Sequence, residues 1–396
     1  MVKAPPCPIC TGKRRLCIHR SYPFPADFSL QKRISEKLRK DFYGPSYSVF
    51  VGREGYPDVN TGLMTGIESI PAVDNPSKWF GLEYTKIIEL RSMLIRSKHR
   101  ESIFSRSRFI SEQQEIALAS RPAYTEIEFR KTPVYTFRLS EFVQPMGPSG
   151  ILEKMRITEN VSIKSHVEKA VSYEMPAGEA SFLLYRKGED VYRISSILSS
   201  GALGFEANRK LVPSRWSTTA SHDIVARHLL REIRQFPSVN EYRVYSSHFL
   251  DNHFEVLLMP GNWEFENFEV WAPGSNWYKQ SNSRIISEYE PHGGRTNYAE
   301  SQAGGYYASR LGVAEGLHKL GRQASAVVFR EVYEGYTIPM GVWQVLENVR
   351  NAFIRPCMKF DTKEEALNYI SKRLRIPASE YVKKSRVLGQ KRLWEF

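Results

Sequence analysis

No run of about eighteen apolar residues occurs anywhere in this 396-residue chain, so a membrane-spanning helix is not expected. The first thirty residues carry prolines, cysteines and arginines where a secretory leader needs an apolar block, so a cytoplasmic protein without membrane contact is expected. Cysteine is scarce. Four in the whole chain are too few for a disulfide scaffold, and three of them crowd between positions 7 and 17, which points to a metal in a reducing compartment. The phosphate-binding and hydrolase patterns are missing as well: no Gly-x-x-x-x-Gly-Lys-Ser/Thr, no Gly-x-Gly-x-x-Gly, no His-Glu-x-x-His and no Gly-x-Ser-x-Gly. A motor ATPase is therefore not expected. Neither a repeat nor a low-complexity tract is visible.

What is present is an ordinary globular mix, 41% hydrophobic and 25% charged, long enough for one large body or two domains. The formal charge is +13, and it is unevenly placed. Residues 1–40 hold ten Lys/Arg against two acids, and residues 355–396 hold eleven against five. The stretch between them is close to neutral, so the two ends are the candidate polyanion contacts. Inside the body a smaller basic run, Arg91, Arg96, Lys98, Arg100, Arg106 and Arg108, is interrupted by Glu101 alone. It reads either as a solvated helix face or as a surface that tracks phosphates.

Periodicity gives an amphipathic helix over 27–41 on Leu30, Ile34 and Leu38, followed by a loop-rich stretch from Phe42 to Pro76. Strands are expected within Thr125–Leu139 and, more strongly, within Tyr242–Trp271. A helix is expected from Ser221 with Val225, Leu229 and Ile233 inward, and another over Gly304–Leu320 closed by Gly321. A β-like run over Ser325–Tyr333 comes next. Pro339 is expected to open a helix, and Asp361 with Glu364 to form a capping box for one more. The fold expectation is α+β: a central mixed or antiparallel sheet with flanking helices, a small zinc module over 1–25, a main body over 26–375 that can divide into two subdomains, and a flexible tail over 376–396.

Two cysteines separated by two residues can wrap one ion, because the turn between them aims both sulfurs at one point. Cys7 and Cys10 have that spacing, and Cys17 with His19 would complete a tetrahedron. Three thiolates and one imidazole leave no open position, so structural zinc is expected, with Cys357 as an alternative fourth ligand. Lys13, Arg14 and Arg15 stand between the ligand pairs, placed to touch a nucleic-acid backbone.

At the other end, Gln390, Leu393, Trp394 and Phe396 set a glutamine, an aliphatic and an aromatic at intervals of three, which one 3₁₀ turn gathers on one side. The spacing resembles the motif by which proteins dock on the replication sliding clamp (PCNA). That resemblance implies Gln390 in a polar side pocket and Leu393, Trp394 and Phe396 as a hydrophobic plug. The fullest form of the motif ends in two adjacent aromatics, and here Trp394 makes up part of the missing area. A cysteine cluster at the start, such a tail at the end, about 400 residues in all and the stretch Leu211–Ser217 together resemble the archaeal Nre family of DNA repair proteins. The resemblance implies a role in DNA repair through recruitment to the clamp.

Two interior clusters could carry chemistry. Arg215, Trp216, Ser217, Thr218, Thr219, Ser221, His222 and Asp223 run into the expected helix start. Free amides, hydroxyls, a guanidinium and an indole suit a phosphate-bearing nucleotide, with His222 and Asp223 as acid or base candidates; the plain alternative is a hydroxyl-rich helix cap. Glu290, His292, Gly293, Gly294, Arg295 and Thr296 could likewise hold an anion, with His292 as a catalytic candidate, or form a surface turn. His228, His248, His253 and His318 lack ligand spacing and are expected in packing roles. The leading expectation is a clamp-recruited, zinc-containing DNA repair protein that contacts DNA electrostatically. The alternative is a nucleotide-binding or phosphodiester-cleaving, nuclease-like enzyme delivered by the clamp, and a third is an RNA-associated zinc protein.

Overall fold

The computed structural model describes residues 28–71, 73–135, 144–272, 275 and 285–389. Cys7, Cys10, Cys17, His19, Gln390, Leu393, Trp394 and Phe396 lie outside them. The chain divides into two compact units, one up to Val225 and one from Ala226. Each has its own sheet, so the expectation of one central sheet is corrected to a closed barrel and a separate six-stranded sheet.

The first unit opens with α1 (Phe28–Lys37), where Ile34 is buried, as is Leu38 just past its end, at the helical period. β1 (Asp41–Val51) and β2 (Asp58–Gly66) then replace the expected loop-rich stretch. Their alternation is hidden in the sequence because the barrel interior takes hydroxyls as well as hydrocarbon. Ser46 lies 2.7 Å from Thr65 and 2.9 Å from Thr125, oxygen to oxygen, and all three are buried. After α2 (Tyr84–Ser92) come β3 (Leu94–Ser102), α3 (Arg108–Leu118), β4 (Ala123–Phe129) and β5 (Ser149–Ile157). The Ser107 hydroxyl caps α3 by accepting from the Ile110 amide. β4 ends at Phe129, short of the strand region expected to Leu139; Val134 adds one isolated bridge to Ser149.

The barrel order is β1–β2–β3–β5–β4, closed by β4 on β1. Every pairing is antiparallel except β3 with β5. α3 plugs the barrel with Ile116 and Ala117 against Val49, Leu63 and Ala123, and with Ile110 beside Val51 and Val59. A helical layer follows: α4 (Ser165–Ser172), α5 (Ala177–Arg186), α6 (Val191–Ser199) and α7 (Ser214–Ile233), packed through Val167, Leu184, Ile194 and Ile197. α7 begins seven residues before the expected Ser221. Pro213 sets up its first turn, its carbonyl accepting from the Trp216 and Ser217 amides at 2.7 and 3.0 Å.

The second unit contains β6 (Tyr242–Phe249), β7 (Asn252–Met259), β8 (Glu264–Trp271), β9 (Ile286–Glu290), α8 (Gly304–Leu320), β10 (Ser325–Val332), α9 (Trp343–Ile354), β11 (Met358–Phe360), α10 (Lys363–Ser371) and α11 (Ala378–Val382). The sheet order is β11–β6–β7–β10–β8–β9, with β10 parallel to β8 and the other pairs antiparallel. β7 and β10 are buried along their whole length because helices cover both faces. α8 and α9 approach closely: a Cβ on Gly312 would stand 2.7 Å from Val349, and one on Gly316 2.5 Å from Phe353. Gly321 closes α8 in the left-handed conformation, as its position after the last helical residue predicts.

Three local expectations shift. α9 starts at Trp343 rather than at Pro339, because Gly341, with φ 94°, breaks the chain direction between them. The capping box of α10 is Thr362 with Glu365, one residue on from the Asp361 and Glu364 pair. The tail expected from residue 376 is instead structured as far as it is described: Ile376, Tyr381, Val387 and Leu388 are buried against the sheet. Buried carboxylates hold it there. Glu331 accepts from the Arg375 and Ile376 amides and the Tyr381 hydroxyl at 2.8–2.9 Å. Glu266 accepts from the Ser385 hydroxyl and from the Arg386 and Val387 amides.

Candidate nucleic-acid interface

The middle of the basic run lies on a strand, while Arg91 belongs to α2, Arg106 to the β3–α3 connection and Arg108 to the start of α3. Side chains alternate across a strand, so Arg96, Lys98 and Arg100 share the outer face of β3, about 7 Å from one to the next. Ser97 between them is buried and turns its hydroxyl to the Leu63 amide at 2.9 Å. Across the ladder, Arg96 stands opposite Met64 and Arg100 opposite Asn60, neither of them acidic.

Both ends of this row meet loops. Arg96 directs Nη1 to Met146 Sδ at 3.2 Å, in the β4–β5 connection. Arg100 donates to the carbonyls of Glu54 and Gly55 at 3.3 and 3.5 Å and so holds the β1–β2 loop over 52–57. That loop presents Tyr56, 44% exposed, whose ring centroid is 5.2 Å from that of Trp216, 46% exposed. Trp216 sits in the first turn of α7, which is tied to the barrel by the Val51 amide donating to Ser214 Oγ at 2.8 Å. Arg215 beside it is exposed.

Burial pushes the Arg96 guanidinium below its ordinary value. Burial, and then the neighbouring Arg96, does the same to Lys98 against an opposing pull from Glu54. Among the described residues no carboxylate pairs with Arg96. A phosphate oxygen would relieve both groups. Arg91, at the start of the same run, is spent elsewhere: burial brings it down to about 10 in spite of Asp74, and its Nε donates to the Pro145 carbonyl at 3.0 Å. The other side of the barrel wall, around Asp41, Tyr43, Glu126, Glu128, Lys154 and Arg156, is a shallow groove of mixed sign. Lys40 and Lys154 are both paired with Glu128 there. That groove does not favour a polyanion.

The sequence-based site residues separate. Ser217, Thr218, Thr219 and Ser221 turn their hydroxyls to carbonyls of their own helix, at 2.8–3.3 Å, and so are not gathered at a helix start. His222 is fully buried in α7 and Asp223 is half-buried beside it. Of that cluster, Arg215 and Trp216 reach solvent. The other cluster belongs to the second unit. Glu290 is buried and accepts from the Trp263 indole, the Tyr306 hydroxyl and the Arg310 guanidinium at 3.2, 2.9 and 3.0 Å. Arg295 is occupied by Glu288 at 2.7 Å and by the Asn297 and Tyr298 carbonyls at 2.8 and 3.2 Å. His292 is exposed, with Nδ1 3.3 Å from the Trp263 carbonyl oxygen.

Sequence reasoning missed one set. The ladder puts His248 opposite His253, and His253 lies 2.7 Å from the buried Glu255, which also accepts from Ser246 and Arg373 at 2.5 and 2.6 Å. Only pairing across the β6–β7 hairpin could have joined these residues. Through Arg373 the set ties the segment after α10 to the sheet. Among the described residues no three His, Cys, Asp or Glu side chains gather closely enough to hold a metal, and no helix is long and apolar enough to cross a membrane.

The first unit is thus a small barrel with a basic strand and two exposed rings at its rim. The chain belongs to the archaeal Nre family: residues 16–278 match its N-terminal region and residues 290–396 its C-terminal region. It is 34% identical over 390 residues to the DNA repair protein NreA of Haloferax volcanii, covering 94% of this chain and 93% of that one. It is 34% identical over 399 residues to the DNA repair protein NreB of Archaeoglobus fulgidus, covering 98% and 99%. With the DNA repair protein NreA of the same organism it shares 36% identity over 376 residues, 93% of each chain. No solved structure matches the chain.

Proposed function

We propose that this protein serves DNA repair, reaching its site of action by docking Gln390, Leu393, Trp394 and Phe396 on the replication sliding clamp and holding DNA through phosphate contacts. The observation that carries the reading is kinship over nearly the whole chain with three proteins named as DNA repair proteins. The row of cations on β3, with no acid opposite it on β2, supports the DNA contact, and the polar, aromatic-ended spacing of 390–396 supports clamp docking. Cys7, Cys10, Cys17 and His19 form a structural zinc site in this reading, steadying the basic amino terminus against the phosphate backbone. The alternative of a phosphodiester-cleaving enzyme draws no support from α7, whose hydroxyls bond to their own helix and whose His222 is buried.

The test is genetic. Cells lacking the gene should lose viability after DNA damage and regain it with the full chain. A chain ending at Gly389 should restore viability poorly while accumulating to the same level. Unchanged damage sensitivity in the deletion strain would remove the repair reading, and full rescue by the shortened chain would remove clamp docking.

A further inference from the structure

The barrel closes in the order β1–β2–β3–β5–β4, with β3 and β5 its one parallel pair and a helix inserted between β3 and β4 that plugs one end. That is the connectivity of the oligonucleotide/oligosaccharide-binding barrel. In that architecture an extended ligand lies across the outer face of strands 2 and 3, between the loops joining strands 1 to 2 and strands 4 to 5. Connectivity alone does not assign a ligand, so the chemistry of that face in this chain has to decide.

It carries Arg96, Lys98 and Arg100 on β3 against Asn60 and Met64 on β2. A row of three cations, with Asn60 and Met64 rather than acids opposite Arg100 and Arg96 and with Glu54 alone pulling on Lys98, suits a polyanion and not a neutral sugar. The row runs from Met146, before β5, to the β1–β2 loop, where Tyr56 and Trp216 expose adjoining rings and Arg215 adds a further cation. A duplex offers phosphates to such a surface but hides the faces of its bases, whereas unpaired bases can stack on exposed rings.

We propose that the outer face of β2 and β3, with Tyr56 and Trp216 at its rim, is a binding site for single-stranded DNA. The cations of β3 track the phosphates, and the two rings receive bases. The site rests on the reading that the chain acts on DNA, and it names the form of DNA recognised. Because stacking needs only a base face, the site tolerates sequence, and because phosphates supply the charge, it weakens with salt.

Fluorescence anisotropy of the full-length protein against a labelled oligothymidylate about 12 nucleotides long, and against a duplex of the same length, tests this. Single-stranded DNA should bind roughly tenfold or more tightly than duplex. Trp216→Ala and Tyr56→Ala should each weaken the single-stranded complex by roughly fivefold to a hundredfold and leave duplex binding nearly unchanged. Lys98→Glu should weaken both forms and flatten the salt dependence. All three side chains are at least partly exposed, so unchanged circular dichroism and thermal midpoint would show that the variants fold. Duplex binding as tight as single-strand binding, or single-strand binding unmoved by the ring variants, would overturn the inference and leave the DNA reading standing. Binding to neither form would instead overturn the DNA contact itself.

Discussion

The rings of Tyr56 and Trp216 meet at 5.2 Å although one belongs to the β1–β2 loop of the barrel and the other to the first turn of α7. Each keeps nearly half its surface in water. A hydrophobic pair that only stabilised the fold would be covered, as Trp263 is, with its ring stacked on Phe265 at 5.7 Å.

This contrast is measurable as stability. Trp216→Ala should cost about 1 kcal/mol or less of unfolding free energy, whereas Trp263→Ala should cost about 3–5 kcal/mol through the cavity it leaves. Denaturant melts of both variants check it, and comparable losses would mean that Trp216 is a packing residue.

The purified protein should carry one zinc per chain, measured by elemental analysis, and Cys10→Ser combined with Cys17→Ser should remove it. Because those ligands lie near one end of the chain, loss of the metal should expose residues 1 to about 25 to protease while the rest stays folded.

Docking of the last residues should separate from folding. Deleting residues 390–396 should abolish calorimetric binding to the clamp and leave the unfolding midpoint unchanged, because Ile376, Tyr381, Val387 and Leu388, which pack on the sheet, all lie outside the deletion. Glu266→Ala should do the reverse. Three donors, the Ser385 hydroxyl and the Arg386 and Val387 amides, lose their acceptor, at a cost of about 2–3 kcal/mol, while a peptide of residues 385–396 keeps its affinity for the clamp.

Acid should weaken the first unit through Glu189, which is buried and faces Lys164 at 2.9 Å, His166 at 2.7 Å and Arg193 at 2.8 Å. Burial alone would push its carboxyl up, but these partners hold it below the ordinary value of 4.5. A depressed native value means that the stabilisation is full above the unfolded value and is lost as pH falls through the native one. Glu189→Gln should lower stability by about 3 kcal/mol at neutral pH and flatten the loss below about pH 4.5, read from denaturant melts across pH.

The sequence by itself determined the elements whose signal is local. The helical period of Ile34 and Leu38 fixes α1. The apolar and aromatic runs announce β6, β7, β8 and β10, and Gly321 ends α8 where only a left-handed residue fits. The spacings of Cys7, Cys10, Cys17 and His19 and of Gln390, Leu393, Trp394 and Phe396, and the kinship they suggested, are likewise short and contiguous. Tertiary structure decided what depends on pairing across distance. β1 and β2 were hidden because Ser46 and Thr65 bond to each other and Thr61 donates to Gln113 inside the barrel, which no local pattern of polarity reveals. Arg96, Lys98 and Arg100, the middle of the basic run, became an evenly spaced row only when hydrogen bonds to β2 and β5 made a strand there, turning a choice of helix face into alternation across a sheet. Trp216 was legible as a candidate, but its partner Tyr56 was not, because ring contacts between a loop and a helix far apart in sequence exist only after the barrel closes and Ser214 ties α7 to β1. The basic carboxyl-terminal stretch read as a solvated tail because its polarity is local, while the Glu266 and Glu331 carboxylates that bury it come from strands more than a helix and a sheet away.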